Sequence, residues 1–272
     1  MGITQLDGTT ALITGGASGI GRATCRLLAT YGCRVIVADR DEAGANAVAE
    51  EIGGEPQRLD VADPVAWANV VAAVGGVDIA YLNAGVSTVS AGGGLSDAGA
   101  NHITRLLDDD YRRAIGVNID GVVYGARAVV PGMIERGGGV VVATSSLAGL
   151  IGFPPDPVYA ATKHAVIGLV RSLGPQLASA GVSVHAICPG ITDTAIVAES
   201  AKDELRAAGF PLIPPEQIAA GVLHAIRSPE TGAAWVCQAG REPVHFQFHQ
   251  VPGPRLADGS APMPPEDMAG HR

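Results

Sequence analysis

The chain has 272 residues, of which 47% are hydrophobic and 17% charged, and glycine plus proline make up about a fifth. That content can bury a sizeable core and lies under the roughly 25–30% of glycine and proline at which disorder becomes the better reading. A net charge of −9 argues against nucleic acid or an anionic membrane as a partner, because both call for a basic surface. Four cysteines, Cys25, Cys33, Cys188 and Cys237, form no CxxC and read as small core residues in a reducing compartment, with the cytoplasm as the default. The opening residues MGITQLDGTT carry no basic segment followed by an apolar run, so no secretory signal is expected.

Thr10–Ile13, Arg34–Ala38, Val77–Leu82, Val140–Ala143 and Val182–Ile187 are short apolar runs rich in β-branched residues, the pattern of strands buried on both faces. Between them Gly21–Thr30, Asp41–Ile52, Pro64–Val74, Leu106–Glu135 and Tyr159–Ala180 carry helical spacing, and a helix over Pro215–Arg227 precedes a last strand at Ala233–Gln238. Such alternation predicts α/β architecture, a doubly wound parallel sheet of about seven strands with helices on both faces. Ala91–Asn101 is a glycine-rich insertion expected to be a mobile surface loop. Residues 251–272 are proline-rich and aperiodic, as in a disordered tail. One domain over 1–250 follows, with a substrate loop and helices between 193 and 213.

Residues 14–21 read TGGASGIG between the first strand and the first helix. A nucleotide pyrophosphate needs bare backbone N–H groups and the positive end of a helix dipole, and a Cβ would block its approach. Gly15, Gly19 and Gly21 supply that gap, Ile20 lies between them, and Ser18 can add a hydroxyl. Asp39 follows 18 residues after Gly21, at the end of the second strand. Its carboxylate can accept from both hydroxyls of an adenosine ribose and would repel a 2′-phosphate. Arg40 pulls the other way. Two charges about 4 Å apart repel by roughly 4 kcal/mol at an effective dielectric near 20, whereas an exposed Arg–phosphate pair returns only about 1 kcal/mol. NAD is therefore favoured over NADP.

The chain has five tyrosines and only two lysines, Lys163 and Lys202. Tyr159 and Lys163, in YAATK, are four apart and on a helix would share one face. With TGGASGIG (14–21), Asp60–Val61, NAG (83–85), VNIDG (117–121), ATSSLAG (143–149) and PGITDT (189–194), the sequence resembles the short-chain dehydrogenase/reductase family over residues 6–195. The resemblance implies a Rossmann fold with strand order 3-2-1-4-5-6-7. It also implies a catalytic tetrad of Asn118, Ser146, Tyr159 and Lys163. In that family the serine stands 13 residues before the tyrosine, which selects Ser146 over Ser145. It assigns Asp60 and Val61 to the adenine, Asn83, Ala84 and Gly85 to the cofactor floor, and Pro189, Gly190, Ile191, Thr192 and Thr194 to the nicotinamide carboxamide and pyrophosphate. Tyr159 and Lys163 would also touch the cofactor.

The chemistry of these roles is coherent. Hydride transfer at a nicotinamide needs proton movement at the substrate oxygen, and a free tyrosine, with a pKa near 10, is too weak a base at neutral pH. Lys163 and an oxidised nicotinamide, both positive, would lower that value. Ser146 would hold the substrate oxygen, and by resemblance Asn118 would help hold a water that links Lys163 to solvent. No metal is expected. The seven histidines are scattered, His245 and His249 sit in an alternating stretch that suggests extended chain, and Asp108–Asp110 read as a solvated helix start.

The ending TGAAWVCQAGREPVHFQF (231–248) departs from the glycine-rich last strand of many family members and is more similar to the hydroxyprostaglandin-type dehydrogenases. That favours a homodimer through Leu106–Glu135 and Tyr159–Ala180, with a tetramer as the alternative. Leu147, Leu150, Ile151, Phe153, Ile196 and Val197 give the substrate region an apolar lining, which suits a hydrophobic secondary alcohol or its ketone. Two rival readings are an NADPH-dependent ketoreductase and a dinucleotide-binding sensor without turnover.

Overall fold

In a computed structural model of the chain, residues 2–88 and 102–249 are described, together with 252, 254, 255, 257 and 258. The insertion at 91–101 lies outside the described residues, as does most of the 251–272 segment. The strands are β1 (Thr10–Thr14), β2 (Arg34–Asp39), β3 (Glu55–Arg58), β4 (Ile79–Leu82), β5 (Gly139–Thr144), β6 (Val182–Pro189), β7 (Ala233–Cys237) and β8 (Val244–His245). They form one sheet in the order β3-β2-β1-β4-β5-β6-β7-β8, an α/β single-domain Rossmann arrangement. The first seven strands are parallel; β8 is antiparallel to β7, pairing Trp235 with His245 and Val236 with Val244.

Two apolar layers cover the sheet. Helices α1 (Gly19–Thr30) and α2 (Glu42–Ile52) pack Cys25, Leu28, Ala45 and Val48 on one face. On the other, α3 (Pro64–Val74) contributes Trp67 and Val70. Asp108–Ile115 (α4) and Gly121–Glu135 (α5) are joined by a π-helical turn at Gly116–Asp120. Pro157–Leu177 (α6) follows β5, Glu199–Ala207 (α7) follows β6, and Pro215–Arg227 (α8) precedes β7.

The structure corrects the expected outline in four places. Among the described residues the expected seven-stranded sheet gains an eighth, antiparallel strand, because the chain after Gly240 (φ +68°) turns back and lays Val244–His245 along the β7 edge. Phe246 N–H then donates to the Ala234 carbonyl at 2.8 Å. The single helix expected over Leu106–Glu135 is interrupted by the π turn, a one-residue expansion of the kind that accumulates at functional sites. The long helix begins at Pro157, two residues before Tyr159, because Asp156 caps it and Pro157 fits its first turn. Only one helix, α7, occupies 193–213.

Trp67 anchors the α3–α5 layer. It is 1% exposed, its indole N–H donates to the Val61 carbonyl at 3.0 Å, and a Cβ on Gly125 would collide with its ring. Trp67→Ala is expected to lower the unfolding free energy by about 3–5 kcal/mol, measured by urea denaturation.

Candidate active site

A parallel strand ends with polar backbone groups facing the loops above it, and here the C-terminal ends of β1, β4 and β5 are laced together by three side chains. Thr14 Oγ1 accepts from the N–H groups of Asn83 at 2.9 Å and Ala84 at 3.1 Å, and Asn83 Nδ2 donates to the Thr14 carbonyl at 3.1 Å. Thr144 Oγ1 donates to Asn83 Oδ1 at 3.1 Å. The three strand ends thus share one floor. Lys163 Nζ reaches it from α6, donating to the Thr144 carbonyl at 2.8 Å.

Above β1, Gly15 has φ +66° and Gly19 φ +49°, conformations that side chains rarely adopt. A Cβ on Gly21 would run into the Gly15 carbonyl, and one on Gly19 would meet Thr194 Cγ2 at 3.0 Å. The first turn of α1 holds no acid, and Ser18, its N-cap, spends no side-chain bond on capping. Ile20 is half-buried there. Asp39 closes the other side: Oδ2 accepts from Ala17 N–H at 3.1 Å and Oδ1 from Asp41 N–H at 3.0 Å. The carboxylate is thereby aimed beside the glycine loop, while Arg40 stands exposed. A glycine cradle, a helix N-terminus without acid and an oriented carboxylate fit a dinucleotide.

Asp60 is exposed and caps its own turn through Ala62 N–H at 3.0 Å; Val61 is buried against Gly121. Beyond β6, Gly190 N–H bonds the Cys237 carbonyl at 2.9 Å and abuts the Gln238 side chain, and Pro189 and Thr192 are buried. Ile191 and Asp193 pair with Ile213 through two 2.9 Å bonds. That pinning carries Thr194 to the face of the glycine loop.

Ser146, Tyr159 and Lys163 converge between β5 and α6. Ser146 caps a 3-10 turn through Ala148 N–H at 3.1 Å, and its side chain favours ionisation of the Tyr159 phenol. Lys163 Nζ lies 5.5 Å from the Tyr159 ring centre. Ser145, by contrast, is buried and donates to the Lys163 carbonyl at 2.8 Å, which removes it from the cleft. Tyr159 is half-buried, and burial pushes its phenol up to about 12, opposed by the Ser146 side chain. Burial also pulls Lys163 down to about 8. In the chain without a nicotinamide, Lys163 donates to the Thr144 carbonyl and burial holds the phenol up.

Asn118 lies deeper. Its Oδ1 accepts from Val86 N–H at 2.8 Å, and its amide donates to the Val86 carbonyl at 2.8 Å and Thr162 Oγ1 at 3.0 Å. Both amide hydrogens go to protein, so the side chain acts as a clamp on the segment after β4. Thr14, Thr144 and Thr162 fall within TGGASGIG, ATSSLAG and YAATK but carry no role in the sequence reading, and Asp156 lies outside every motif. The pair Asp156–Pro157, a capping residue followed by a proline suited to the first helical position, was the one signal that could have found Asp156. Among the described residues no three histidine, cysteine or acidic side chains converge as metal ligands, and no helix is long and apolar enough to cross a membrane.

The family model described as short chain dehydrogenase matches residues 9–205. The chain belongs to the short-chain dehydrogenase family. It is 38% identical over 196 residues to a 2-keto-3-deoxy-L-fuconate dehydrogenase of Xanthomonas campestris pv. campestris, a match that covers 70% of this chain and 61% of that protein. It is 33% identical over 210 residues to a cyclohexanol dehydrogenase of an Acinetobacter species, covering 74% of this chain and 80% of the relative. Among solved structures, a 3-ketoacyl-(acyl-carrier-protein) reductase of Brucella melitensis complexed with NADH superposes with a TM-score of 0.77 at 28% identity, over 87% of this chain and 99% of that one. Gly21→Ala is expected to weaken binding of the reduced nicotinamide dinucleotide the protein prefers by tenfold or more, about 1.4 kcal/mol, measured by calorimetric titration with NADH and NADPH, with far-ultraviolet circular dichroism unchanged.

Proposed function

We propose that the chain is an NAD(H)-dependent oxidoreductase that interconverts a hydrophobic secondary alcohol and its ketone. The observation that carries this reading is the meeting of Ser146, Tyr159 and Lys163 between β5 and α6, with Lys163 Nζ 5.5 Å from the Tyr159 ring centre and 2.8 Å from the Thr144 carbonyl. Phe153 stacks edge-on to Tyr159 with ring centres 6.4 Å apart, and Ile151, eight residues before Tyr159, is exposed. The cyclohexanol dehydrogenase named above acts on a compact apolar secondary alcohol by its name, and the Brucella reductase was solved with NADH. Both support the class.

Gly15, Ser18, Gly19, Ile20 and Gly21 would hold the pyrophosphate, Asp39 the adenosine ribose with Arg40 at its rim, Asp60 and Val61 the adenine, and Asn83, Ala84 and Gly85 the floor. Pro189, Gly190, Ile191, Thr192 and Thr194 would border the nicotinamide end. A bound nicotinamide supplies the hydride acceptor or donor. In the reducing direction Ser146 holds the substrate oxygen and Tyr159 delivers its phenolic proton to that oxygen; in the oxidising direction the phenolate takes the proton back. Lys163 stands below the ring as the next proton-bearing group, and Asn118 fixes the wall beside both. The oriented Asp39 carboxylate favours NAD over NADP by charge repulsion with a 2′-phosphate.

The assembly that fits is a homodimer through α5 and α6, whose outer faces leave a groove lined by Ile119, Val122, Val123, Ala165 and Leu169. The β7 edge is already covered by β8 of the same chain, which favours a dimer over a tetramer that would pair sheets at that edge.

A phenol held up to about 12 is protonated at neutral pH, so it is ready as an acid and must lose its proton to act as a base. Alcohol oxidation is therefore expected to climb with pH above neutrality. Ketone reduction should hold up to about pH 8, where Lys163 loses its charge, and then decline. Initial rates in both directions from about pH 6 to about pH 10 check this, and a flat oxidation profile would contradict it. Tyr159→Phe should lower turnover by about 10²–10⁴-fold while NADH affinity stays within about twofold by calorimetry, a difference of at most ~0.4 kcal/mol. Asp39→Asn should raise the NADP-to-NAD preference by about tenfold or more, from the loss of one repelling charge.

A further inference from the structure

Asp156 is 1% exposed, and among the described residues no ion pair reaches it. A carboxylate buried without a cation is costly unless donors surround it, and four do. Tyr159 N–H, at 2.9 Å, is the ordinary helix cap. The other three come from the segment after β4: Ser87 Oγ at 2.8 Å, Thr88 N–H at 2.8 Å and Thr88 Oγ1 at 2.6 Å. A cap alone needs none of these three, and they span 68 or 69 residues of sequence.

The bonds continue into a closed circuit. From Ser87–Thr88 the chain passes to Val86, which Asn118 grips through both its N–H and its carbonyl. Asn118 donates to Thr162 Oγ1 at 3.0 Å, and Thr162 Oγ1 donates to the Tyr159 carbonyl at 2.7 Å. The circuit therefore starts at the N–H of Tyr159 and ends at its carbonyl. Every polar member of it is buried or half-buried.

We propose that Asp156 is a positioning residue for Tyr159: it ties the start of α6 to the Val86–Thr88 wall of the cleft, and with Asn118 and Thr162 it fixes where the phenol meets a substrate oxygen. This rests on the reading of Tyr159 as the proton carrier. Among the described residues the groups acting on the phenol are Lys163, whose Nζ lies over the ring, Asp156, held at the Tyr159 N–H, and the Ser146 side chain; Cys188 acts on Lys163 and has a thiol that burial pushes up to about 12. After burial, the Asp156 charge is a further influence that holds the phenol up. Removing it shifts the phenol toward lower pH.

Asp156→Ser keeps a helix-capping hydroxyl but is too short to reach Ser87 and Thr88. Thr88→Val removes the far hydroxyl and leaves the cap intact, so it serves if Asp156→Ser fails to fold. Each full-length variant is compared with the wild type and with Tyr159→Phe. The measurements are turnover of an apolar secondary alcohol accepted by the wild type, NADH affinity by calorimetry, and ultraviolet difference titration of the phenols with Tyr159→Phe as blank. Asp156→Ser is expected to lower kcat on the order of 10²-fold, with NADH affinity within about twofold and the Tyr159 titration moved to lower pH. Thr88→Val is expected to lower kcat in the same direction with less movement of the titration. Wild-type kcat per folded molecule and an unmoved titration in Asp156→Ser, or wild-type kcat in Thr88→Val where that variant stands in, would overturn the proposal while leaving Tyr159 in its role. Full turnover in Tyr159→Phe would overturn both.

Discussion

The site depends on how the ends of β1, β4 and β5 are closed. Parallel strands present N–H and carbonyl groups at their C-terminal ends that must find partners, and a ligand cleft must sit there without leaving them empty. Thr14, Asn83 and Thr144 satisfy these groups between them, and Lys163 donates to the Thr144 carbonyl from the helix above. This lacing fixes the glycine loop that leaves β1, the serine turn that leaves β5, and the lysine of α6 against one another. A buried ammonium is tolerable because it has that carbonyl to donate to.

The electrostatics follow from the same burial. Low dielectric favours the neutral form of each group, so it raises Tyr159 and lowers Lys163. The chain by itself therefore holds the phenol as an acid. Ser146, the group that opposes this rise, also faces the cleft, so one hydroxyl both orients the substrate oxygen in the proposed reaction and eases proton loss from the phenol.

Much of this was legible in the sequence, and the failures have physical causes. Hydrophobic runs end Thr10–Ile13, Arg34–Ala38 and Val140–Ala143 one residue before the strands do, because the last residues are Thr14, Asp39 and Thr144. Apolar patterning stops where the sheet meets its cleft; the backbone ladder does not. β3 reads EPQR, with no apolar run to reveal it, and holds its edge place through β2 and the Arg34–Glu55 ion pair. The π turn at Gly116–Asp120 leaves helical spacing nearly intact, so periodicity misses it. Motif spacing singled out Tyr159, Lys163 and Ser146, which the fold places side by side between β5 and α6. It could not reveal the Asp156 circuit, because that depends on which distant segment lies beside the start of α6.

In the proposed reaction hydride passes between a carbinol carbon and a nicotinamide while Tyr159 handles the proton. The most direct test is a single-turnover reaction of the protein with NAD and an apolar secondary alcohol deuterated at its carbinol carbon. Ketone formation with a primary isotope effect and recovery of the deuterium in the reduced nicotinamide ring is the expected result. Ketone formed with the deuterium lost to solvent, or no reduced nicotinamide across a panel of such alcohols, would contradict it.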